Sequence, residues 1–340
     1  MSAVFALFFL LIFETLTEEW PHWVIRGVGE WSAQWVTALI EVWFLSVCAA
    51  WVVIEARSRI PAFNPDRRAL FRSGTAAACA APAAMFAFGI LSRKNTVIRE
   101  LDLKLPGLPK DLNNLRLVQL SDIHLGAFYS EKDLISVIDA ANELNADLAI
   151  MTGDLITAKG DPLLAGIRQI ARLKNTSGIW ACNGNHEHFA GLESAAAELG
   201  AKCGVNFLRW QARNLKFGHS SLNIVGVDHQ SMHSPYLVGA EELVEPGQFN
   251  LLLSHNPDVF PVAVEKGFDL VLAGHTHGGQ INFEIFDKNL NIADFLTPYT
   301  KGLYRGTTSA IYVNSGIGTI GIPIRLGAPP EITLIKLCAS

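Results

Sequence analysis

Five short polar blocks interrupt this chain, each at the point where a predicted β-strand ends. The blocks are Asp122-Ile123-His124, Gly153-Asp154, Gly184-Asn185-His186-Glu187, Ser254-His255-Asn256 and Gly274-His275-Thr276-His277. Their aspartate, asparagine and histidine side chains offer the oxygen and nitrogen ligands that a pair of divalent metal ions requires. The blocks therefore predict a metal centre built from residues that are distant in sequence.

The spacing of the first three blocks indicates how such residues meet. Asp122 and Asp154 are 32 residues apart, and Asp154 and Asn185 are 31 residues apart. A βαβ unit takes roughly 30 residues, so one block recurs at each successive parallel strand. In an open α/β sheet, ligands bind in the crevice outside the carboxyl ends of the strands, and we expect the blocks to converge there.

The segments between the blocks predict an α/β fold. Short apolar stretches alternate with stretches of helical periodicity from residue 115 to residue 199, and the second half is richer in predicted strands. Such a pattern indicates two packed mixed β-sheets flanked by helices. Residues 95–114, which contain Pro106, Gly107 and Pro109, are predicted to form a linker or a first hairpin that leads into this domain.

The chemistry of the side chains divides them between two metal ions. Asp122 and His124 are two residues apart after one strand and can bind the same ion. Asp154 is the natural carboxylate to bridge two ions about 3.5 to 4 Å apart. The other predicted ligands are Asn185, His255 and His275 for the second ion and His277 for the first. Because the blocks contain no thiolate, this ligand set favours manganese, iron or zinc.

His186 follows Asn185 directly and is not needed as a ligand. We expect it to act as a general acid toward a leaving oxygen, or to stabilise charge on a phosphate. Two divalent ions and two aspartates leave a net charge of about +2, which attracts an anionic ester. Such a centre also lowers the pKa of a bridging water, and the resulting metal-bridging hydroxide attacks phosphorus in line.

These blocks resemble the motifs of the calcineurin-like metallophosphoesterase family, which are D-x-H, G-D, G-N-H-[DE], H and G-H-x-H. The resemblance covers about residues 115–337, and the segments at 302–304, 312–316 and 323–331 are similar to its YkuE-type bacterial membrane-associated branch. It implies an α/β/β/α sandwich that hydrolyses phosphate esters at a dinuclear site. By this resemblance Asp122, His124, Asp154 and His277 bind one metal ion, Asp154, Asn185, His255 and His275 bind the other, and His186 is catalytic.

The first 95 residues are predicted to form a membrane module with two or three transmembrane helices. Residues 35–54 carry Glu41 as their only charge, and residues 74–92 carry none. Each stretch is close to the roughly 20 residues that cross a hydrocarbon core. A third apolar stretch, residues 3–13, either spans the membrane or is an interfacial or signal-like segment. Residues 96–340 then form the phosphoesterase domain.

The charge of the loop between the two longer stretches predicts an orientation. This loop carries five arginines against Glu55 and Asp66, and the arginines are Arg57, Arg59, Arg67, Arg68 and Arg72. By the positive-inside rule the loop is cytoplasmic. We therefore predict a multi-pass protein of the cytoplasmic (inner) membrane, with its catalytic domain on the outer (periplasmic or extracellular) face.

A membrane anchor suggests a membrane-proximal or lipid-linked phosphate ester as the substrate. Two alternatives stay open: a pyrophosphate hydrolase of the UDP-diacylglucosamine type, and a non-catalytic membrane-anchored interaction module. The formal net charge is −5, and no Lys/Arg run is interleaved with aromatic residues, so nucleic acid is not an expected partner.

Five further polar residues receive no firm role from the sequence. Arg325 lies in a Gly/Pro-rich loop and is either a contact for the substrate phosphate or a solvated cation. Four further histidines are expected to be surface or loop residues rather than ligands; they are His188, His219, His229 and His233.

Overall fold

The computed structural model describes residues 44–48, 50–52, 55, 65–231, 235–285 and 288–339. The chain forms two compact units. One consists of Met1–Ile90 with Gly321–Ile324, and the other of Leu91–Ile320 with Arg325–Ser340. The predicted ligands all belong to the second unit.

Residues 44–48, 50–52 and 55 are helical, and six α-helices and fourteen strands follow among the described residues from Pro65 onward. The helices are α1 (Pro65–Ser92), α2 (Glu131–Asn142), α3 (Leu163–Ile170), α4 (Asn185–Ala190), α5 (Glu193–Cys203) and α6 (Phe260–Glu265). The strands are β1 (Val97–Leu105), β2 (Arg116–Leu120), β3 (Leu148–Thr152), β4 (Ile179–Cys182), β5 (Val205–Phe207), β6 (Gln211–Phe217), β7 (Ser220–Gly226), β8 (Phe249–Leu253), β9 (Leu270–Ala273), β10 (Asn282–Ile285), β11 (Lys288–Asn291), β12 (Gly302–Arg305), β13 (Ala310–Val313) and β14 (Glu331–Ala339).

Helix α1 contains the second stretch that the sequence predicts to cross a membrane. The helix is 28 residues long and has Pro82 in its interior. Among the described residues, no helix combines the length and the apolar character that a membrane crossing requires. Residues 3–13, and most of residues 35–54, lie outside the described part of the chain.

Two six-stranded mixed sheets make up the body of the second unit. The first has the order β1-β14-β2-β3-β4-β5, in which β2 to β5 are parallel and β14 runs antiparallel to β2. The second has the order β12-β13-β9-β8-β7-β6, in which β13, β9, β8 and β7 are parallel and the two edge strands are antiparallel. Strands β10 and β11 form a separate hairpin.

Three layers of apolar side chains hold these elements together. The central layer lies between the sheets and combines residues such as Leu117 and Ile150 of the first sheet with Leu251 and Leu272 of the second. One outer layer packs α2, α3 and α5 against the first sheet, and the other packs α6 against the second. The predicted class, two mixed β-sheets with flanking helices, is therefore confirmed.

A buried glutamine joins the two sheets close to the carboxyl ends of their strands. Gln119, on β2, donates from Nε2 to Thr152 Oγ1 at 3.0 Å and to the Ala273 carbonyl at 2.9 Å. Thr152 ends β3 in the first sheet, and Ala273 ends β9 in the second. The strand ends of both sheets therefore meet at one place, and the polar blocks follow directly from there.

The structure differs from the prediction at the start of the domain. Residues 95–114 contain strand β1, which pairs in parallel with β14 over nine residues, rather than a linker or a hairpin. The burial of Leu103 and Leu105 in the central layer explains this strand, since apolar residues alternate with polar ones from Leu101 to Leu105.

Candidate metal centre

The structure brings the predicted site residues together at the carboxyl ends of strands from both sheets. Asp122 and His124 follow β2, Asp154 follows β3, Asn185 follows β4, His255 follows β8, and His275 and His277 follow β9. Three groups have ligand atoms within 4.8 Å of one another; they are Asp122 with His124 and His277, His124 with Asp154 and His186, and Asp154 with His255 and His275.

The first group joins the block after β2 to the block after β9. The Nε2 atoms of His124 and His277 are 3.0 Å apart, and Nε2 of His277 is 3.4 Å from Oδ1 of Asp122. The Asp122 carboxylate also accepts the backbone N–H of His275 at 3.0 Å. Two imidazole nitrogens and a carboxylate oxygen that face one another in the interior form a donor set suited to a divalent metal ion.

Asp154 lies between the two sets of histidines. Its Oδ2 is 3.0 Å from Nε2 of His255 and 3.5 Å from Nε2 of His124, while its Oδ1 accepts the backbone N–H of His186 at 2.9 Å. One carboxylate oxygen therefore faces ligands of both groups. That position is the one required of a carboxylate that bridges two metal ions.

His255 is oriented for ligation by a backbone carbonyl. Its Nδ1 donates to the Thr152 carbonyl at 2.7 Å, and its Nε2 lies 3.0 Å from Oδ1 of Asn185. A metal-ligating histidine usually donates its second ring nitrogen to a carbonyl or a carboxylate, which fixes the ring and its tautomer. The amide oxygen of Asn185 thus joins Asp154, His255 and His275 in the second donor set.

The backbone at the ligands is unusual. Five of the predicted ligands have positive φ, and their values are 49° for Asp122, 49° for His124, 54° for Asp154, 75° for His275 and 53° for His277. A residue with a Cβ rarely adopts this left-handed backbone conformation, and each such residue costs of order 1–3 kcal/mol of folding free energy. Concentrated strain of this kind is characteristic of a functional site.

Two glycines of the blocks allow a close approach of the backbone to the carboxylates. A Cβ at Gly184 would overlap the Asp154 carboxylate, and a Cβ at Gly274 would overlap the Asp122 carboxylate and the Ser121 hydroxyl. The glycines that precede Asn185 and His275 in their blocks are therefore fixed by sterics.

The electrostatics of the cluster also fit a metal centre. Burial raises the pKa of Asp122 to about 6, and the neighbouring Asp154 carboxylate adds to this effect. Burial also lowers the pKa of His255, but Asp154 and Asp122 outweigh it and raise that pKa to about 10. In this structure, therefore, the positive charge that offsets the two buried aspartates is a proton on His255. Divalent ions held by the same atoms would supply that charge instead.

Three other imidazoles are held neutral. Burial lowers the pKa of His124 and of His277 well below the usual range, and it lowers the pKa of His275 to about 3. Because metal ligation requires a neutral imidazole, the lowered pKa values favour the form in which these side chains can bind a metal.

Glu187 connects two of the ligand-bearing turns. Its carboxylate accepts backbone N–H groups from Asp154 at 2.9 Å, Leu155 at 2.8 Å, Ile156 at 3.2 Å and Gly184 at 2.8 Å. The side chain is fully buried. Glu187 therefore fixes the turn after β3 to the turn after β4, and with them the position of Asp154 relative to Asn185.

His186 is half-buried at the edge of the cluster. Its Nδ1 donates to the Thr157 carbonyl at 2.6 Å, and its ring meets that of His124 edge-on with centroids 4.7 Å apart. The hydrogen bond leaves Nε2 as the nitrogen that can exchange a proton. The same ring is close enough to Asp154 to belong to its group of possible ligands.

Arg325 lies neither in solvent nor among groups that a substrate could reach. It is 1% exposed and donates to the carbonyls of Gly318, His277, Ser315 and Ala328, and its Nη2 is 3.1 Å from Nδ1 of His277. Both sequence-based alternatives for Arg325 are therefore wrong. The Gly/Pro-rich composition around it resembles an exposed loop, and nothing in the sequence shows the carbonyls that bury the guanidinium.

The other histidines divide into two kinds. His219 is exposed, and His233 lies outside the described residues. His188 and His229 stand beside the site, with ring centroids 5.5 Å apart, and His229 is more than half buried. The sequence predicts neither of them as a ligand, and neither belongs to a group of possible ligands among the described residues.

The sequence of this chain is similar to those of known phosphoesterases. Residues 115–279 match the family model of the calcineurin-like phosphoesterases. The chain is 31% identical over 239 residues to the uncharacterized metallophosphoesterase YkuE of Bacillus subtilis, in a match that covers 68% of this chain and 81% of that protein. It is 30% identical over 249 residues to an uncharacterized metallophosphoesterase of Campylobacter jejuni, with coverage of 72% and 64% respectively.

A relative from a vertebrate is similar to the same degree. The chain is 31% identical over 252 residues to a Bos taurus protein named "Transmembrane protein with metallophosphoesterase domain", in a match that covers 68% of this chain and 55% of that protein. The chain thus spans less than two thirds of the bovine protein and of the Campylobacter protein.

The role of Glu187 can be tested with Glu187→Gln. Glutamine keeps one acceptor oxygen and turns an NH₂ group toward N–H donors, so at least one of the four backbone hydrogen bonds is lost. A hydrogen bond to a charged group contributes about 1.5–3 kcal/mol, and we expect the free energy of unfolding of the metal-free chain to fall by about 3 kcal/mol. Urea denaturation measures it. The exposed Glu198→Gln is the control, and an equal effect of both substitutions would contradict this role.

The protonation of His255 predicts that metal binding releases protons. At about pH 7.5 His255 carries a proton and Asp122 does not, so loading with manganese should release about one proton from this histidine. Below about pH 6 Asp122 is protonated as well, so the release should rise and the affinity fall. Calorimetry in two buffers of different ionisation enthalpy measures the release. His255→Gln should reduce it at neutral pH, and an unchanged value would contradict the assignment.

Proposed function

Since this chain belongs to the calcineurin-like metallophosphoesterase family, we propose that its convergent side chains hydrolyse phosphate esters at a centre of two divalent metal ions. The chain is a phosphoric ester hydrolase by family. We also propose which residues bind each of the two ions. One ion takes Asp122, His124, Asp154 and His277, and the other takes Asp154, Asn185, His255 and His275.

The position of Asp154 is the observation that carries this proposal. Its Oδ2 faces His255 at 3.0 Å and His124 at 3.5 Å, so a single oxygen belongs to both donor sets. A site for one ion would need only one of these sets. An oxygen that belongs to both donor sets supports two metal ions side by side. The choice of manganese, iron or zinc rests only on the absence of thiolate ligands from the proposed set.

The residues of the chain then have distinct tasks. When bound, the metal ions would supply an activated water and the positive charge that neutralises the phosphate. Glu187 holds the two turns that carry Asp154 and Asn185, and Thr152 orients His255 through its carbonyl. His186, with Nδ1 fixed by the Thr157 carbonyl, holds a proton at Nε2 for the leaving oxygen.

We propose in addition that the enzyme works beside a membrane, on a membrane-proximal or lipid-linked ester. Two observations support this location. Residues 35–54 carry a single charge, Glu41, and the bovine relative is named a transmembrane protein. The arginine-rich segment before residue 73 further favours an orientation in which the catalytic unit faces outward.

The proposed hydrolysis is tested with the full chain in detergent, stripped of metal and reloaded with manganese. We expect turnover of bis(4-nitrophenyl) phosphate or of 4-nitrophenyl phosphate only after reloading. His186→Ala should lower kcat about 100-fold or more with an unchanged metal content, since it removes a general acid. Asp154→Asn should lose bound metal, as measured by elemental analysis.

His219→Ala is the matched control for these variants, because His219 is an exposed histidine outside the cluster. It should retain both activity and metal. Two bound ions without turnover of any ester would favour the non-catalytic alternative. Failure to bind metal at all would contradict the proposed centre.

The proposed location is tested by expressing the full chain and washing the isolated membranes at alkaline pH. The chain should stay with the membranes, and protease added to intact spheroplasts should digest the catalytic unit. Release of the chain into the wash would contradict membrane attachment. Protection from protease would contradict the outward orientation.

A further inference from the structure

An exposed aromatic ring stands next to the proposed general acid. Phe189 is 72% exposed, and its ring centroid lies 6.1 Å from that of His186. The two residues are three apart in α4, which places them on one face of the helix. The proposed proton donor to the leaving oxygen thus has a large apolar ring beside it, and that ring faces solvent.

Two further imidazoles flank this ring. His188 and His229 both have ring centroids 6.0 Å from that of Phe189, at interplanar angles of 57° and 68°. These separations fall within the range of about 4.5–7 Å over which aromatic rings attract one another. We call Phe189, His188 and His229 the aromatic rim.

The segment that carries His229 is held by hydrogen bonds, two of which come from residues close to the metal-binding turns. Asp228, which precedes His229, accepts Nδ2 of Asn183 at 3.1 Å and Nε of Arg209 at 3.0 Å. Asn256, which follows His255, donates to the Gln230 carbonyl at 3.1 Å. The segment that carries His229 is therefore attached on both sides to residues next to proposed ligands. A preformed surface of this kind loses little conformational entropy when it binds a ligand.

His229 lacks the contacts of a structural histidine. Its Nδ1 is buried and has no hydrogen-bond partner among the described residues. Burial lowers the pKa of His229 to about 4, so the ring is neutral near pH 7. A buried polar atom without a hydrogen-bond partner is rare in folded proteins. We attribute it here to the ring contacts of His229 with His188 and Phe189, which fix the position of the imidazole.

The charges around the aromatic rim do not suit a second phosphate group of the substrate. His188 is bonded to Glu193 at 2.7 Å, and Asp228 is paired with Arg209. These bonded groups contribute no excess positive charge. A second phosphate of the substrate would need cationic donors at this place, so the rim does not suit a pyrophosphate. It suits an uncharged group instead.

We propose that the aromatic rim is a subsite for an aryl group on the leaving side of the substrate. This proposal rests on the proposed function, because it takes His186 as the residue that faces the leaving oxygen. A flat ring can lie against Phe189 while its edge meets the flanking imidazoles. An acyl chain would instead need a continuous apolar strip, and the ring contacts of Phe189 are all with imidazoles.

The test uses two ligands with the same carbon skeleton, 2-phenylethylphosphonate, whose ring is flat and aromatic, and 2-cyclohexylethylphosphonate, whose ring is saturated, bulkier and more apolar. Neither contains a hydrolysable ester bond, so calorimetry of the manganese-loaded full chain reports binding without turnover. We expect the phenyl compound to bind about 2- to 10-fold more tightly. Phe189→Leu, which keeps an apolar side chain but removes the ring, should reduce this ratio to about one.

Phe295→Leu is the control, since it removes an aromatic ring that is 87% exposed but lies on another turn. It should leave the ratio unchanged. Equal binding of the two phosphonates by the unmodified chain, tighter binding of the cyclohexyl compound, or a ratio that persists in Phe189→Leu would each overturn the proposal. Because the readout is binding, a chain that shows the ratio but hydrolyses no ester would contradict the proposed function and not the subsite.

Discussion

Sharp left-handed turns directly after the strands are the constraint on which this centre depends. Three of the proposed ligands, Asp122, Asp154 and His275, follow their strands by two residues. Two others, His124 and His277, follow by four residues. Positive φ at all five turns the backbone sharply at these positions. These conformations are unfavourable for residues with a Cβ, so other interactions must hold them. The Glu187 carboxylate holds the turn after β3, and Arg325 holds the carbonyls of His277, Ser315 and Gly318.

The second requirement is that two separate sheets end at the same place. The aspartates and Asn185 come from the first sheet, whereas His255, His275 and His277 come from the second. Neither sheet contains a complete donor set for either ion. The apolar layer between the sheets, and the Gln119 hydrogen bonds at its end, set the distance between the residues of the first sheet and those of the second. The packing of the core therefore determines the geometry of the proposed ligands.

The convergence of the polar blocks was easier to predict from the sequence than their surroundings. Residues such as Asp122 and His277 were expected to lie together because their residue types and their strand-end positions are both visible in the chain, and their role as metal ligands stays a prediction. Arg325 was missed because its burial depends on carbonyl groups brought from several turns. Strand β1 was missed because its partner β14 lies more than 200 residues away along the chain, so the pairing that stabilises it has no local signal. His229 carries no local signal, since its place beside Phe189 exists only in the folded chain.

The arrangement of strands at one edge of the first sheet has a consequence for how the chain folds. Strand β14 lies between β1 and β2, so β1 joins the sheet only through a strand that is more than 200 residues away along the chain. Pairing between such distant segments requires the closure of a long loop and is slow compared with the formation of the βαβ units between β2 and β5. The edge of the sheet that carries Asp122 and Asp154 therefore closes late in folding.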